Sequence, residues 1–404
     1  MRTTLVSVLA CAALGACSWT QFDSLESDTW VGSTEKPDVK SSDYGVAIQR
    51  GARAGDGGTL VVIGANQATY SELTYATTGG AKLAATTLEL NSQFGIGNLD
   101  AQPVLLADPT TDDTALAINA GGTQILVLTG AGQLNMHNLF VSPSTVDAAT
   151  YMQPPNRTDT GHVGEAHPEA PLIAAGDVVV GTFYSAVPNP QPTCKLLDGA
   201  SAIAPRALAA VKNGSFDDVL AWGSGGKLYH YPGSVFHGCT PGQAPVGAGH
   251  DTGFQPGHGS QILSIGPGHV LLAGRHDTDD ASLLQVFDTA TLSPVGGSVS
   301  LPGLRSVAIL DAGTQKYVVV GYPGDNVNGT TAGDVKLFPV SGMGGIETSP
   351  MAVLHDAQPE NNQSFGRAVT VMPFNGKPII VVAADNEIFT YYQSPLYDET
   401  RQGR

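Results

Sequence analysis

The stretch from Ser306 to Val340, SVAILDAGTQKYVVVGYPGDNVNGTTAGDVKLFPV, decides the fold. It contains short runs of β-branched and apolar residues separated by turns rich in Gly, Asn and Asp, and such runs are typical of β-strands. We predict strands at Val307 to Leu310, Tyr317 to Val320 and Asp334 to Pro339. A polar turn follows the first strand, and a Gly/Asn-rich loop follows the second.

Weaker copies of this unit recur along most of the chain. One residue in each copy marks the predicted second strand, and the markers are Val61, Leu126, Val179, Val219, Leu271, Val319 and Val381. They lie about 53 residues apart on average, which is enough for the four short strands of one propeller blade. We therefore predict an all-β fold, a seven-bladed β-propeller over residues 43–396, with six or eight blades as alternatives.

The composition agrees with an all-β chain and argues against nucleic-acid binding. Of 404 residues, 50 are Gly and 26 are Pro, so turn-forming residues are dense, and the 42% of hydrophobic residues suffices for a core. Lys and Arg number 19 against 36 Asp and Glu, which gives a formal net charge of -17. Because a surface this acidic repels phosphate backbones, we expect no nucleic-acid partner.

The better copies share an aromatic-Gly step before the first strand or a Gly at the end of the second strand. The clearest examples are Tyr44-Gly45 with Ile63-Gly64-Ala65, Gly321-Tyr322-Pro323 and Phe365-Gly366, and weaker ones are Phe94-Gly95 and Val163-Gly164. This pattern resembles the FG-GAP repeat of integrin-type seven-bladed β-propellers. The resemblance implies the fold but leaves the function open, because one fold serves many functions.

The FG-GAP resemblance also raises the question of calcium. Members of that family often carry a loop of the form D-x-[DN]-x-D-G-x-x-D, in which crowded carboxylates share one Ca2+ ion. The turn at residues 211–218 keeps Asn213, Asp217 and Asp218 but lacks the leading carboxylates of the pattern. The resemblance makes these three residues candidate Ca2+ ligands. We favour a tight turn without metal, which Asn and Gly form by themselves.

A second candidate cation site is the acidic run His276-Asp277-Thr278-Asp279-Asp280. Asp277 and Asp279 alternate and could offer oxygen ligands to a cation, and His276 could join them if the metal were zinc or manganese. The alternative, which we favour, is a solvated hairpin loop between two apolar strands.

The amino terminus has the features of an export signal. A short positive segment precedes an apolar run at residues 5–14 that is too short to span a membrane. The sequence Leu14-Gly15-Ala16-Cys17 resembles the lipobox of bacterial lipoproteins. This resemblance implies removal of residues 1–16, acylation of Cys17 and anchoring in the lipid bilayer, with Ser18 favouring the cell outer membrane. The alternative is an ordinary secretory signal with an incidental cysteine.

Polar segments flank the predicted propeller on both sides. Residues 17–42 are polar and acidic, and we predict that they form a tether between the lipid and the folded part. Residues 397–404 form a polar carboxy-terminal tail.

The predicted mature chain retains Cys194 and Cys239 in addition to the lipidated Cys17. Two thiols in an exported protein usually pair, so we predict one disulfide between them. Closing this loop in the unfolded chain corresponds to a stabilisation of about 3–4 kcal/mol.

No catalytic motif stands out in the sequence. It contains neither the H-E-x-x-H pattern of zinc proteases nor the G-x-S-x-G pattern of serine hydrolases, and we assign no catalytic residue. We expect a non-enzymatic module at the cell envelope that binds a protein or a glycan through its loops. The alternative is a propeller enzyme, a hydrolase or a cofactor-dependent dehydrogenase, with a site in the central channel.

Overall fold

The structure is a computed structural model, and the residues it describes are nearly all in strands and tight turns. These residues are 30–35, 44–50, 59–64, 69–75, 82–89, 104–107, 114–119, 124–130, 135–140, 146–152, 170–181, 193–214, 216–233, 244–313, 315–327, 330–342, 344–356, 359–374, 377–385 and 387–392. The weaker FG-GAP candidates at residues 94–95 and 163–164 lie outside them, as does the predicted tail at 397–404.

Most strands belong to four-stranded antiparallel sheets in which strands adjacent in sequence pair with each other. The first strand, β1 (Trp30–Glu35), joins the last sheet. Sheet 1 contains β2 (Tyr44–Arg50), β3 (Thr59–Gly64), β4 (Thr69–Tyr75) and β5 (Lys82–Glu89). Sheet 2 contains β6 (Val104–Ala107), β7 (Thr114–Asn119), β8 (Gln124–Gly130) and β9 (Asn135–Phe140). Sheet 3 contains β10 (Ala148–Met152), β11 (Ala170–Ala175), β12 (Val178–Gly181) and β13 (Thr193–Cys194).

The second half of the chain follows the same plan after a small hairpin of β14 (Leu197–Asp198) and β15 (Ser201–Ala202). Sheet 4 contains β16 (Pro205–Asn213), β17 (Phe216–Gly223), β18 (Lys227–Tyr231) and β19 (His250–Asp251). Sheet 5 contains β20 (Gln261–Gly266), β21 (His269–Arg275), β22 (Ser282–Asp288) and β23 (Pro294–Val299). Sheet 6 contains β24 (Ser306–Asp311), β25 (Lys316–Tyr322), β26 (Asp334–Pro339) and β27 (Ala352–Leu354).

Sheet 7 is built from both ends of the described chain. It contains β28 (Ala368–Phe374), β29 (Lys377–Ala384) and β30 (Glu387–Tyr392), and β1 pairs antiparallel with β30 as the outer strand. The sequence pattern assigns residues 30–35 to the tether because their surroundings are polar. The structure instead uses them as a strand, because β30 would otherwise expose a row of unpaired backbone groups.

The sheets are arranged around a common axis. Contacts between first strands of neighbouring sheets run from β2 to β6, β10, β16, β20, β24 and β28 and return to β2. A closed ring of inner strands with sheets radiating outward is the β-propeller architecture. The prediction of an all-β propeller is therefore confirmed, and within the described residues the strands form seven four-stranded sheets.

The apolar second strands of sheets 4 to 7 are buried on both faces. In β25, Val318 packs with the core between sheets 5 and 6, whereas Val319 packs with the core between sheets 6 and 7. Because successive residues of a strand point to opposite faces, a strand whose two faces both pack against neighbouring sheets needs apolar residues at every position. This explains the unbroken run VVVG at residues 318–321.

Two of the seven second-strand markers do not lie in second strands. Leu126 lies in β8 and Val179 lies in β12, and both strands are the third of their sheets. The true second strands, β7 and β11, are rich in Ala, so their sequences TALAIN and APLIAA give a weaker strand signal than the β-branched runs that follow them.

The aromatic-Gly step allows neighbouring sheets to approach closely. Gly366 has a φ of 88°, and a Cβ atom at this position would lie 2.6 Å from the carbonyl oxygen of Asp334 in sheet 6. Gly45 has a φ of 87°, and a Cβ atom there would lie 3.1 Å from the Cβ atom of Ala383 in sheet 7. Glycine is thus needed for both the backbone conformation and the space.

Candidate binding site on the upper face

Charged side chains of three neighbouring sheets meet at one face of the propeller. We call the face at which the first strands begin the upper face, and the opposite one the lower face. The connections leading into β10, β16 and β20 and the turns after β11 and β21 lie on the upper face. We define the rim cluster as Asp147, Arg206, His258, Arg275 and Asp277.

Asp147 links sheets 3 and 4. It lies just before β10, is 7% exposed, and accepts a hydrogen bond from the backbone N–H of Gly176 at 2.7 Å. Its other carboxylate oxygen, Oδ1, accepts a hydrogen bond from Nη1 of Arg206. Arg206 occupies an irregularity at the start of β16, where the register shifts between Pro205 and Ala207. Such bulges redirect a side chain, and here the guanidinium reaches the neighbouring sheet.

His258 adds sheet 5 to the cluster. Its Nε2 lies 2.9 Å from Oδ1 of Asp147 and 2.6 Å from Nη1 of Arg206, and its Nδ1 lies 2.9 Å from Oδ2 of Asp277. A neutral ring donates from Nδ1 to Asp277 and accepts from Arg206, whereas a protonated ring donates to both carboxylates. In either state both ring nitrogens face protein groups.

Asp277 is fixed by the same histidine. The backbone N–H of His258 donates to Oδ1 of Asp277 at 2.7 Å, in addition to the side-chain contact. Burial raises the pKa of this carboxyl, but the backbone and side-chain hydrogen bonds from His258 outweigh it and place the pKa of Asp277 below its ordinary value. Asp277 is therefore ionised at neutral pH.

Arg275 supports the loop that carries His258. Its Nε donates to the carbonyl oxygen of His258 at 2.6 Å, and the residue is 8% exposed. Gly259, with a φ of 77°, leaves the space, because a Cβ atom there would lie 2.6 Å from Nη2 of Arg275. Burial and the nearby positive charge of Arg305 lower the pKa of Arg275. The guanidinium is thus held in position at an energetic cost.

Arg305 differs from the other arginines of the upper face. It lies just before β24 and is exposed, and none of the described carboxylates forms an ion pair with it. Arg367 lies just before β28 and pairs with Asp385, which also accepts a hydrogen bond from the hydroxyl of Ser364 at 3.1 Å. Arg305 therefore leaves a positive charge open to solvent beside the rim cluster.

A second polar cluster lies on the upper face of sheet 6. Nζ of Lys336 donates to Asp325, lies 3.4 Å from Oδ2 of Asp334, and stands 4.4 Å from the ring centroid of Tyr322. Burial raises the pKa of Asp334 to about 6, and within the described residues its Oδ1 has no hydrogen-bond donor. Lys336 therefore pairs with both carboxylates and makes a cation–π contact with Tyr322.

The candidate Ca2+ ligands of the 211–218 turn do not converge. Asn213 donates from Nδ2 to Asp218 at 2.8 Å, and Asp218 also contacts Nε2 of His230 at 2.9 Å and the backbone N–H of Gly233 at 2.7 Å. Asp217 is the preceding residue of β17, so its side chain points to the opposite face of the sheet. The turn lies at the lower face, where the hydrogen bond from Asn213 to Asp218 shapes it.

The acidic run after β21 forms the predicted hairpin loop between β21 and β22. Asp277 turns to His258, whereas Asp279 accepts hydrogen bonds from Nδ1 of His276 at 3.0 Å and from the backbone N–H of Ala281 at 2.8 Å. Among the residues that the structure describes, no three His, Cys, Asp or Glu side chains are placed to hold a metal ion.

The cysteine predictions are only partly within the described chain. Cys194 is buried and takes part in a disulfide bond. Cys239, its expected partner, and the lipidation candidate Cys17 lie outside the described residues, so their roles stay predictions.

Sequence reasoning missed most of the rim cluster. Asp147 and Arg206 belong to no motif, and His258 is one of ten scattered histidines. The signal that could have identified them is their position, because each stands at or just before the start of a first strand. That position is visible only once the strand order is known.

Comparison with solved structures gives the fold. BBS1N in its crystal structure in complex with ARL6DN, soaked with lead, matches with a TM-score of 0.55 and 13% identity, over 91% of this chain and 97% of that chain. The WD40 β-propeller domain of Doa1 matches with a TM-score of 0.53 and 9% identity, over 91% and 99%. The β-propeller domain of Myceliophteria thermophila Cps50 (Swd1) matches with a TM-score of 0.53 and 10% identity, over 90% and 100%.

Sequence comparison adds no relationship. No family model matches the chain, and no curated protein matches it. Among the described residues, none forms a helix with the length and apolar character that crossing a membrane requires. The likeness to WD40-type propellers, at identities this low, shows that the chain has the β-propeller fold.

Proposed function

We propose that this protein is a lipid-anchored β-propeller of the bacterial outer membrane that binds a protein partner through its upper face and has no catalytic activity of its own. Acylation of Cys17 supplies the anchor, and the propeller supplies the binding surface. Gly45 and Gly366 support the FG-GAP relationship as part of this proposal, because both sit at equivalent sheet-to-sheet contacts.

The observation that carries the proposal is the rim cluster. Its acidic and basic groups come from three neighbouring sheets and are already paired with one another. Asp147 and Arg275 are buried, and the partly exposed His258 and Asp277 form a rigid, charged surface over them. Rigid surfaces lose little entropy on binding, and arginine is enriched at protein interfaces. Arg305 beside the cluster is exposed and offers a guanidinium to a carboxylate of the partner.

The enzymatic alternative rests on His258, which stands between two carboxylates. A general base needs one ring nitrogen free to reach the substrate. Here Nδ1 faces Asp277 and Nε2 faces both Asp147 and Arg206, each within 3.0 Å. His258 therefore fits a role in holding the sheets together better than a role in proton transfer.

The experiment is affinity capture with the full-length protein from detergent extracts of the outer membrane. Wild type is compared with Arg305→Glu on the upper face and Lys212→Glu on the lower face, where the Lys212 side chain is 65% exposed and lies 3.1 Å from Asp217. Both variants are first checked by urea unfolding to be folded like wild type. We expect a protease-sensitive partner to bind wild type and Lys212→Glu, and to bind Arg305→Glu about tenfold less, as a contact worth about 1.4 kcal/mol would give. Capture of no partner, or equal loss with both variants, contradicts the proposal.

A further inference from the structure

The strand that closes the propeller also fixes where an amino-terminal anchor leaves it. In sheet 7, β29 ends and β30 begins at the upper face, so Glu387 is at the upper end of β30 and Tyr392 is at the lower end. β1 pairs antiparallel with β30, with Trp30 opposite Tyr392 and Glu35 opposite Glu387. The chain therefore enters β1 from the lower face.

We propose that the lower face of the propeller faces the lipid bilayer and that the upper face, with the rim cluster and Arg305, is presented to the aqueous side. This inference rests on the proposed lipid anchor and deepens it. The binding partner is then a soluble protein, or a projecting domain of another protein, that carries carboxylates to meet Arg305. Lipids and proteins embedded beside the anchor are excluded from that surface.

The length of the connection supports this orientation. From Cys17 to Trp30 the chain can span at most about 45 Å when fully extended. The six residues of β1 span about 20 Å from the lower to the upper face. To bring the upper face to the bilayer, the connection would have to run back along the whole outer edge of sheet 7, which consumes nearly half of its reach and much of its conformational freedom.

The charge of the connection acts in the same direction. Residues 18–29 contain Asp23, Glu26 and Asp28 and no Lys or Arg. An acidic segment is repelled by anionic lipid headgroups, which disfavours a connection that lies along the membrane surface. The shortest path from the lipid then leads to the lower face, where the chain enters β1, and this favours that face toward the bilayer.

The test measures the height of each face above the membrane. Single cysteines are introduced by Lys212→Cys on the lower face and Asp279→Cys on the upper face, where the side chains are 65% and 59% exposed. The full-length protein, purified from membranes, is labelled with a fluorescent donor and inserted into phospholipid vesicles with acceptor-labelled headgroups. Because the two faces differ in height by about 20 Å, we expect energy transfer about twofold or more stronger from position 212.

The outcomes separate the orientation from the anchor. Equal transfer from both positions, or stronger transfer from position 279, overturns the orientation and leaves the anchor standing. If mass spectrometry finds no acyl groups on Cys17 and the protein does not float with vesicles, the anchor itself is refuted, and the orientation falls with it. A Cys17→Ala variant with either label is the matched control and is expected to show no transfer.

Discussion

Replacing single glycines, two at the contact between sheets 6 and 7 and one in sheet 5, separates the cost of an unusual backbone conformation from the cost of crowding. Gly366 has a φ of 88° and also lacks space for a side chain. Gly321 lacks only the space, because a Cβ atom there would lie 2.0 Å from the carbonyl oxygen of Gly366. Gly268, in sheet 5, has only the unusual backbone, with a φ of 72° and nothing within 4 Å of the position that a Cβ atom would take. The three Gly→Ala variants therefore test strain, crowding and their combination.

The expected losses of unfolding free energy follow from these geometries. The left-handed backbone costs an alanine about 1–2 kcal/mol, so Gly268→Ala loses about that amount. Forcing an extra methyl group into a packed contact costs about 1–3 kcal/mol, which we expect for Gly321→Ala. Gly366→Ala combines both and loses about 2–5 kcal/mol.

The assay is urea unfolding of the three variants and the wild type, followed by tryptophan fluorescence. Trp222 is fully buried between sheets 4 and 5 and reports on the propeller itself. A midpoint shift without a change of slope measures the loss of stability. If Gly321→Ala is as stable as wild type, the close approach of sheets 6 and 7 does not constrain the fold. Crowding against sheet 6 would then not explain the glycine of the aromatic-Gly step at Gly366.

Three further outcomes are expected. Because burial raises the pKa of Asp334 to about 6, the folded protein holds this proton more tightly than the unfolded chain, and stability is lost as the pH rises from about 4 to about 6. We expect Asp334→Asn to remove this part of the pH dependence of the urea midpoint. Arg206→Ala leaves the buried Asp147 with fewer hydrogen-bond donors and lowers the unfolding free energy by about 2 kcal/mol. A double-mutant cycle with Asp147→Ala is expected to show a coupling energy between the two side chains, and a coupling of zero would mean that the pair is only a surface contact. Phe365→Ala removes a fully buried ring and is expected to lower the unfolding free energy, measured by calorimetry, by about 3–5 kcal/mol. Val353→Ala, at a residue 43% exposed, is expected to change it by less than about 0.5 kcal/mol, and similar losses for the two variants would contradict the assignment of Phe365 to the core.

The fold could be predicted where local sequence and packing demand the same residues. The strands predicted within 306–340 agree with β24, β25 and β26 to within two residues at each end. β25 packs against apolar neighbours on both faces, which requires the unbroken apolar run that made its prediction clear. In sheets 2 and 3 the second strands are Ala-rich and give a weak strand signal. The marker residues chosen from the pattern therefore fall in the third strands of these two sheets.

The closing strand was missed for a different reason. The sequence WVGSTE of β1 is polar and short, because an outer strand has one side open to solvent and contributes little to a core. Its partner is β30, near the other end of the chain, and no local signal in residues 30–35 indicates that pairing.

The candidate site was the least predictable part. Motif reasoning selected Asp277 for its acidic neighbours, yet the structure pairs it with His258 in a preceding connection. Asp147 and Arg206 come from different sheets and are 59 residues apart in sequence. Contacts of this kind depend on the ring of first strands, so they follow from the fold and not from any local pattern.

Pairing of β1 with β30 sets the point during synthesis at which the propeller can close. Sheet 7 is complete only when the strand at residues 387–392 pairs with the strand at residues 30–35, so a nascent chain cannot close the ring before residues 387–392 have been made. Contacts this distant in sequence form slowly. Until these two strands pair, the chain stays open, a state compatible with passage through a narrow channel, as the export proposed above requires.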